Sequence, residues 1–116
     1  MRRSLTRDER LRAGRDIKKL FREGRRIDAG GLKLLHERNG GAATRMGVVI
    51  ARGCGGAVRR NREKRITREA YRSLKERIPS GHDLLFLVSR FGLSYAERRQ
   101  AMKQLLSRAG FQGYAD

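Results

Sequence analysis

The chain has 116 residues, a length typical of one domain, and its 29 Lys and Arg against 12 Asp and Glu give a net charge of +17. A single cysteine, Cys54, excludes an intramolecular disulfide, and the two histidines lack the Cys or His neighbours that a zinc site needs. The apolar runs are too short to cross a bilayer and no signal-peptide pattern is present, so we expect one soluble, cytoplasmic domain over residues 1–116. The high net charge indicates a polyanionic partner, for which nucleic acid is the first candidate and an anionic membrane surface the second.

The N-terminal half is predicted to hold a basic arm, a helix and strands. Residues 1–10 carry four arginines and little apolar content, so we expect a flexible basic arm. Residues 15–23 have apolar side chains at helical spacing, and Gly24 stands where a left-handed C-terminal cap would lie. Residues 32–36 and 46–51 are predicted strands, separated by a glycine-containing turn and expected to form an antiparallel pair.

The C-terminal half is predicted to hold a long helix, a central strand and a last helix. The long helix covers residues 57–77 and is stopped by the segment at Pro79. Residues 83–89 read DLLFLVS, a buried central strand. Ser94 and Glu97 match a capping box, which opens the last helix. The apolar face of this helix is expected to comprise Tyr95, Met102, Leu105, Leu106 and Ala109.

These elements predict an α+β fold in which helices pack on one face of a mixed sheet, an α/β sandwich. The order is α-β-β-β-α-β-α if residues 32–51 contain three strands, and has one strand fewer if they contain two. The residue pattern leaves that count open.

The long helix divides its apolar and basic residues between two sides. With about 100° of rotation per residue, the apolar residues cover an arc of roughly 140°. These are Ile66, Ala70, Tyr71, Leu74 and Ile78. A separate arc of about 100° is basic, and we name it the basic stripe. It comprises Lys64, Arg65, Arg68, Arg72 and Lys75. A solvated helix face normally mixes charge signs, whereas Glu63, Glu69 and Glu76 lie at or beyond the edge of this stripe, so the pattern favours polyanion binding.

The start of the same helix carries Arg60, Asn61 and Arg62. Unpaired N–H groups and the positive dipole end of a helix suit phosphate, and an arginine fork binds phosphate through two hydrogen bonds. Asn61 could instead have a purely structural role, in which its side chain caps the helix or makes a local hydrogen bond to the backbone. The glycines before the helix allow close backbone approach, but the Lys-Ser/Thr ending of a nucleotide-binding P-loop is absent.

At this segment the sequence resembles the ribonuclease P protein family. The most specific element of that family is an Arg-Asn-Arg-x-Lys-Arg core preceded by Gly-x-Ala-Val, and residues 55–65 read GGAVRRNREKR. The similarity includes IKKLFREG at residues 17–24, continues through the predicted strands at 46–51 and 83–89, and covers most of residues 10–109.

The resemblance implies a four-stranded mixed sheet with a left-handed βαβ crossover, similar to a domain of a ribosomal small-subunit protein. It implies the protein subunit of an RNA-based enzyme that removes the 5′ leader of precursor tRNA. The segment from Arg60 to Arg62 would bind the catalytic RNA subunit. The full set of RNA-binding residues, with contacts to the RNA subunit and to the substrate left undivided, would be Arg52, Arg59, Arg60, Asn61, Arg62, Lys64, Arg65, Arg68 and Arg72. A groove between the first helix and the sheet would take the leader, and it would be lined by Ile17, Phe21, Leu32 and Leu35.

The resemblance further implies that Mg²⁺ held mainly by the RNA activates the water that cleaves the phosphodiester. No arrangement of side chains here is typical of protein-based hydrolysis, so we expect the polypeptide alone to have neither a catalytic residue nor a metal site. The expected partners are the ribonuclease P RNA and precursor tRNA. No membrane contact and no obligate protein partner are inferred.

The sequence departs from the family pattern at several positions. Arg52 is followed by glycine where paired lysines are usual, and Ile17 stands where phenylalanine is frequent. Leu32 and Leu35 replace aromatic residues, so leader binding would depend more on apolar contact and phosphate charge than on base stacking. Phe21 fits a core position and a leader-contacting position equally well.

Three other functions are weighed against this one. A ribosomal or other structural RNA-binding protein would share the charge and the fold but would lack any preference for tRNA with a leader. A helix-turn-helix DNA regulator needs two adjacent helices, whereas strands flank the long helix here. A peripheral membrane protein needs an exposed apolar helix face, which the predicted core occupies.

Overall fold

Three α-helices and four strands make up the described part of the chain, which comprises residues 9–11, 14–41, 43–111 and 114 of a computed structural model. Their order is α-β-β-β-α-β-α. The bounds are α1 Gly14–Glu23, β1 Arg25–Asp28, β2 Leu32–Arg38, β3 Arg45–Ile50, α2 Ala57–Leu74, β4 His82–Val88 and α3 Tyr95–Arg108. A 3₁₀ turn, Lys75–Arg77, continues α2. No helix in these ranges is both long and apolar enough to span a bilayer.

β4 is a central strand of the sheet. The strand order is β1-β2-β4-β3, with β2 antiparallel and β3 parallel to β4. The mixed four-stranded sheet is therefore confirmed, and β3, α2 and β4 form a βαβ unit whose left-handed sense stays a prediction. The expected antiparallel pair of residues 32–36 with residues 46–51 is wrong, because β4 lies between these strands. β4 reads HDLLFLV with apolar side chains on both faces, and such a strand belongs in the middle of a covered sheet.

β1 is the strand whose position the sequence pattern leaves open. It precedes Leu32, so residues 32–51 contain two strands and not three. It pairs antiparallel with β2, where Arg26 lies opposite Leu35. Because β1 is a short edge strand with one partly buried apolar residue, Ile27, it carries almost no hydrophobic pattern.

Helices cover both faces of the sheet, so the expectation that all of them share one face is wrong. The larger core lies between the sheet and α2 and α3, and includes Leu34 and Phe86. The smaller core lies between the opposite face and α1, and includes Leu35 and Leu85. Since neighbouring residues of a strand point to opposite faces, two adjacent buried leucines require cover on both sides.

α1 follows its predicted bounds closely, with Leu20 fully buried against the sheet. Gly24 follows it but does not have the left-handed backbone expected of a cap, since its φ is not among the positive values of the described glycines. A Cβ at Gly24 would lie 2.7 Å from the carbonyl oxygen of Leu20. Glycine is therefore required at this position by close packing.

α2 and α3 largely bury the faces that the sequence predicts, with two exceptions. On α2, Ala70, Tyr71 and Leu74 are buried, whereas Ile66 is only partly buried. On α3 the capping box of Ser94 is present, but Tyr95 is 40% exposed. Arg98 is the charged residue that α3 buries instead, and this site has consequences described below.

The end of the predicted flexible arm is in contact with the sheet. Arg10 forms an isolated parallel bridge with Met46 at the outer edge of β3, and the Leu11 amide donates to the Met46 carbonyl at 2.8 Å. The Glu9 carboxylate lies 2.9 Å from the Lys75 ammonium. Residues 1–8 of the arm lie outside the described residues.

Candidate nucleic-acid interface

The basic stripe lies on the side of α2 that faces away from α3. Glu63 and Ser73 make the contacts with α3, through Arg98 at 2.9 Å and Arg99 at 2.9 Å. With about 100° of rotation per residue, the centre of the stripe is roughly 170° from the midpoint of these two positions. The stripe is thus a continuous cationic surface separated from the helix pair.

Lys75, a member of the stripe, forms an ion pair within the protein. The Lys75 ammonium pairs with Glu9, and its side chain is only 16% exposed. Within the described ranges, no carboxylate lies at ion-pair distance from Lys64, Arg65 or Arg72. The Nε atom of Arg72 is buried without a hydrogen-bond partner among the described residues. The stripe therefore keeps most of its charge for an external anion.

The three residues of the Arg-Asn-Arg motif point in three directions. Arg60 turns toward the end of β3 and donates to the Ile50 carbonyl at 3.4 Å. Asn61 is exposed on the same side of α2 as the stripe, and its side-chain amide makes no hydrogen bond within the described part of the chain. The structure therefore does not show the capping alternative. Arg62 turns toward Glu63 and the loop after β4. The motif therefore joins two surfaces, the stripe and a cavity on the other side of α2.

This cavity, the motif cavity, has a volume of about 420 Å³ at the start of α2. Its wall combines two arginines with apolar atoms and glycine backbone. The lining residues are Gly53, Cys54, Arg59, Arg62, Glu63, Phe91 and Gly92. Arg52 lies just outside, exposed in the turn between β3 and α2. The cavity adds an arginine pair, which suits phosphate, to the surface that the stripe provides.

A buried ion pair that sequence reasoning missed lies beside this cavity. Glu63, placed by the sequence at the edge of the stripe, has a side chain only 4% exposed and lies 2.9 Å from Arg98, which is fully buried. Burial lowers the pKa of Arg98, and the neighbouring Glu63 carboxylate opposes that effect. The sequence signal was available: about 100° of rotation per residue puts Glu63 inside the apolar arc, between Ala70 and Leu74.

The groove between α1 and the sheet is built differently from the prediction. Ile17 and Phe21 are partly exposed on α1 and pack on the smaller core, so Phe21 serves the core and the groove together. Leu35 is on the correct face but fully buried, and it forms the floor. Leu32 lies on the opposite face, within the larger core, so its assignment to the groove is wrong.

Three residues that the sequence analysis omitted complete this groove. Lys33 on β2 lies opposite Leu87 on β4, which in turn lies opposite Val49 on β3. Each is partly exposed on the face that carries Leu35. The alternation of a strand places Lys33 with Leu35 and excludes Leu32, so strict use of that period would have found these residues. We call this surface the α1 groove; Ile17, Phe21, Lys33, Val49 and Leu87 line it.

Charged contacts fix the first turn of α1 over the start of β3 and β4. Arg45 holds Asp83 through two hydrogen bonds of 2.8 and 2.7 Å, and its Nη1 lies 3.3 Å from Asp16 on α1. For the Asp83 carboxyl, burial raises the pKa, but the hydrogen bonds from Arg45 and Asn39 outweigh it and the net pKa is lowered. These contacts hold the helix that forms one wall of the groove.

The histidines belong to a third region, at the opposite end of the sheet from the motif cavity. His36 and His82 each lie against the Phe111 ring, with centroid distances of 5.8 and 5.1 Å. Burial lowers the pKa of both. Among the described residues, no three His, Cys, Asp or Glu side chains come together in a group that could hold a metal ion.

Comparison with known proteins gives one family. The profile of the family described as Ribonuclease P matches residues 5–110. Curated proteins named ribonuclease P protein component are similar, among them that of Thermotoga petrophila, 40% identical over 84 residues (72% of each chain). That of Roseiflexus castenholzii is 36% identical over 104 residues, covering 87% of this chain and 85% of the relative.

Solved structures give the same result. The RNase P protein from Thermotoga maritima superposes with a TM-score of 0.76 at 34% identity, covering 86% of this chain and 96% of that one. The Staphylococcus aureus RNase P protein reaches a TM-score of 0.78 at 20% identity over 89% of this chain and 96% of that one, which supports the fold.

Proposed function

The chain belongs to the ribonuclease P protein family, components of a tRNA-processing ribonucleoprotein that acts as an endoribonuclease, and we propose that it binds the catalytic RNA subunit through α2 and the 5′ leader of precursor tRNA through the α1 groove. In this role it assists the Mg²⁺-dependent endonucleolytic removal of the leader, which produces the mature 5′ end of the tRNA. The RNA subunit supplies catalysis and the polypeptide supplies binding, in the cytoplasm.

The separation of charge on α2 carries this proposal. Lys64, Arg65 and Arg72 share one side of the helix without a carboxylate partner in the described ranges. Lys and Arg side chains gathered on one side of a helix supply a contact with phosphates that is independent of sequence. Arg59 and Arg62 extend the contact around the start of α2 into the motif cavity.

The α1 groove suits a single-stranded RNA segment. Ile17, Phe21 and Leu87 offer partly exposed apolar surface, and Lys33 places a cation beside it. Unstacked bases bind such surfaces through their faces while phosphates bind the cation, with little dependence on base identity. With Phe21 as the aromatic side chain of the groove, apolar contact and phosphate charge provide most of the leader binding.

We place the Mg²⁺ ions on the RNA. The described residues bring together no group of three His, Cys, Asp or Glu side chains, whereas phosphate oxygens are good ligands for this hard cation. The protein would act on these ions indirectly, since its own cations hold the RNA strands that coordinate them.

The test adds the purified protein to ribonuclease P RNA and precursor tRNA at a magnesium concentration where the RNA alone is slow. We expect correctly placed 5′ cleavage to be restored. A ribosomal or other structural RNA-binding protein would leave the rate and the cleavage position of the RNA unchanged, and that result would refute the proposal.

A second arm of the test addresses the leader. Ile17→Ser is expected to weaken the affinity of the assembled complex for precursor tRNA by several-fold and to leave its affinity for mature tRNA unchanged. Lys18→Ser, on the exposed side of α1, is the matched control. If both variants bind precursor tRNA equally well, the α1 groove is not the leader site.

A further inference from the structure

One buried carboxylate, that of Glu63, collects hydrogen bonds from three segments of the chain. Its Oε1 accepts from Arg98 Nη2 on α3 at 2.9 Å, and its Oε2 accepts from the Gly92 amide at 3.0 Å. Oε2 also accepts from Nη1 of Arg62, the preceding residue, at 3.2 Å. The same Arg98 Nη2 donates to the Arg90 carbonyl at 2.9 Å. The start of α2, the loop after β4 and the first turn of α3 therefore meet at a single charged group.

Stability alone gives little reason for this arrangement. The attraction within a buried ion pair offsets the desolvation cost only when the remaining polar atoms of the pair form hydrogen bonds. Apolar residues of similar volume often stabilise a core equally well. Here Nε and Nη1 of Arg98 are buried and find no hydrogen-bond partner among the described residues. In rotation around the α2 axis, position 63 falls between the buried residues Ala70 and Leu74, where a leucine would be the ordinary choice.

The contact to Arg62 is where this pair reaches the protein surface. The Arg62 side chain is 43% exposed and lines the motif cavity, while the Glu63 side chain is 4% exposed. Of the Arg62 donors, only Nη1 is engaged within the described part of the chain. A guanidinium has five N–H donors in a rigid fork, so one edge can be held while another remains for a phosphate.

We propose that Glu63 and Arg98 are positioning residues for RNA binding: the buried pair holds the Arg62 guanidinium at the rim of the motif cavity in the orientation that binds an RNA phosphate. Arg98 holds the Glu63 carboxylate in place, and this carboxylate holds the Arg62 guanidinium. The conformational entropy of the Arg62 side chain is therefore lost during folding and not during RNA binding, which favours affinity. This inference rests on the proposed function, because it assumes that α2 is the RNA-binding surface.

The experiment is a double-mutant cycle on the full chain with ribonuclease P RNA as the probe. Dissociation constants and melting midpoints are measured for Arg62→Ala in the natural background and in the Glu63→Leu/Arg98→Met background. A charge-assisted hydrogen bond to phosphate predicts about a tenfold loss for Arg62→Ala in the natural background. The Glu63→Leu/Arg98→Met protein is expected to keep its melting midpoint within a few degrees and still to bind about tenfold more weakly. Adding Arg62→Ala to it is expected to cost less than twofold.

The matched control is Glu69→Leu/Arg108→Met, which makes the same chemical changes on exposed positions of α2 and α3. It should bind as the natural protein does. If Glu63→Leu/Arg98→Met binds RNA normally, or if Arg62→Ala still costs tenfold in that background, the pair is structural only and the proposal is overturned.

A second variant covers the case in which the apolar pair does not fold. Glu63→Gln keeps the side-chain volume and an acceptor for the Gly92 amide but removes the charge that holds Arg62. Measured below its melting midpoint, it should show the same loss of the Arg62 contribution. If Lys64→Gln/Arg65→Gln weakens RNA binding while the Arg62 cycle shows no coupling, only this inference fails. If neither weakens binding, the proposed function fails as well.

Discussion

Replacing Lys64 and Arg65 together by glutamine should reduce the salt dependence of RNA binding by a predictable amount. Each phosphate that a cation neutralises on single-stranded or irregular RNA contributes about 0.7 to the slope of log affinity against log salt concentration. The two substitutions should therefore lower the slope by about 1.4. Both side chains lie on the stripe and have no carboxylate partner within the described ranges, so no internal ion pair competes with this effect.

The structure also sets the magnitude for the whole stripe. Lys64, Arg65 and Arg72 have no carboxylate partner within the described ranges, so these three stripe cations are counted as phosphate contacts. Three contacts give a slope of about 2.1, which is a loss of about 18-fold in affinity between about 50 and 200 mM salt. In the double variant the contribution of these cations should fall to about 3-fold over the same range.

The assay is a titration of labelled ribonuclease P RNA at several salt concentrations. Arg99→Gln/Arg108→Gln removes the same charge from α3, where these side chains bond Ser73 and the Asp28 carbonyl, so its slope should equal that of the natural protein. Equal losses of slope in both variants would mean that net charge alone governs binding. The stripe would then have no special role, and the reasoning from its geometry would be refuted.

Three further predictions concern the fold. Ser94→Ala removes the capping box with Glu97 and should lower the free energy of unfolding by about 1 kcal/mol in urea denaturation without changing RNA affinity; an unchanged midpoint would contradict it. Gly24→Ala places a methyl group 2.7 Å from the Leu20 carbonyl and should cost about 1–3 kcal/mol, whereas a neutral effect would show that α1 moves freely. Burial lowers the pKa of His36 below its ordinary 6.5, so the unfolded chain binds the proton more readily and stability should fall as the pH drops below about 6.5. His36→Gln should remove that part of the pH dependence, and an identical profile in both proteins would exclude His36 as its source.

Local patterns in the sequence were sufficient for the helices and for the motif. α1, α2 and α3 follow the 3.6-residue period closely, and the capping box at Ser94 marks the first residues of α3. The basic stripe follows from the same period, since rotation along one helix needs no knowledge of the rest of the chain. The family resemblance, carried by residues 55–65, is a property of the sequence alone.

Contacts between residues distant in the sequence decided the rest. β4 lies between β2 and β3 although it follows both, because only an apolar strand covered on both faces fits the middle of this sheet. That placement sends Leu32 to the larger core and brings Val49 and Leu87 into the α1 groove. Glu9 compensates the charge of Lys75, and Glu63 is a core residue because it pairs with Arg98 on α3. Burial and ion pairing depend on which segments meet, and the tertiary structure alone determines this.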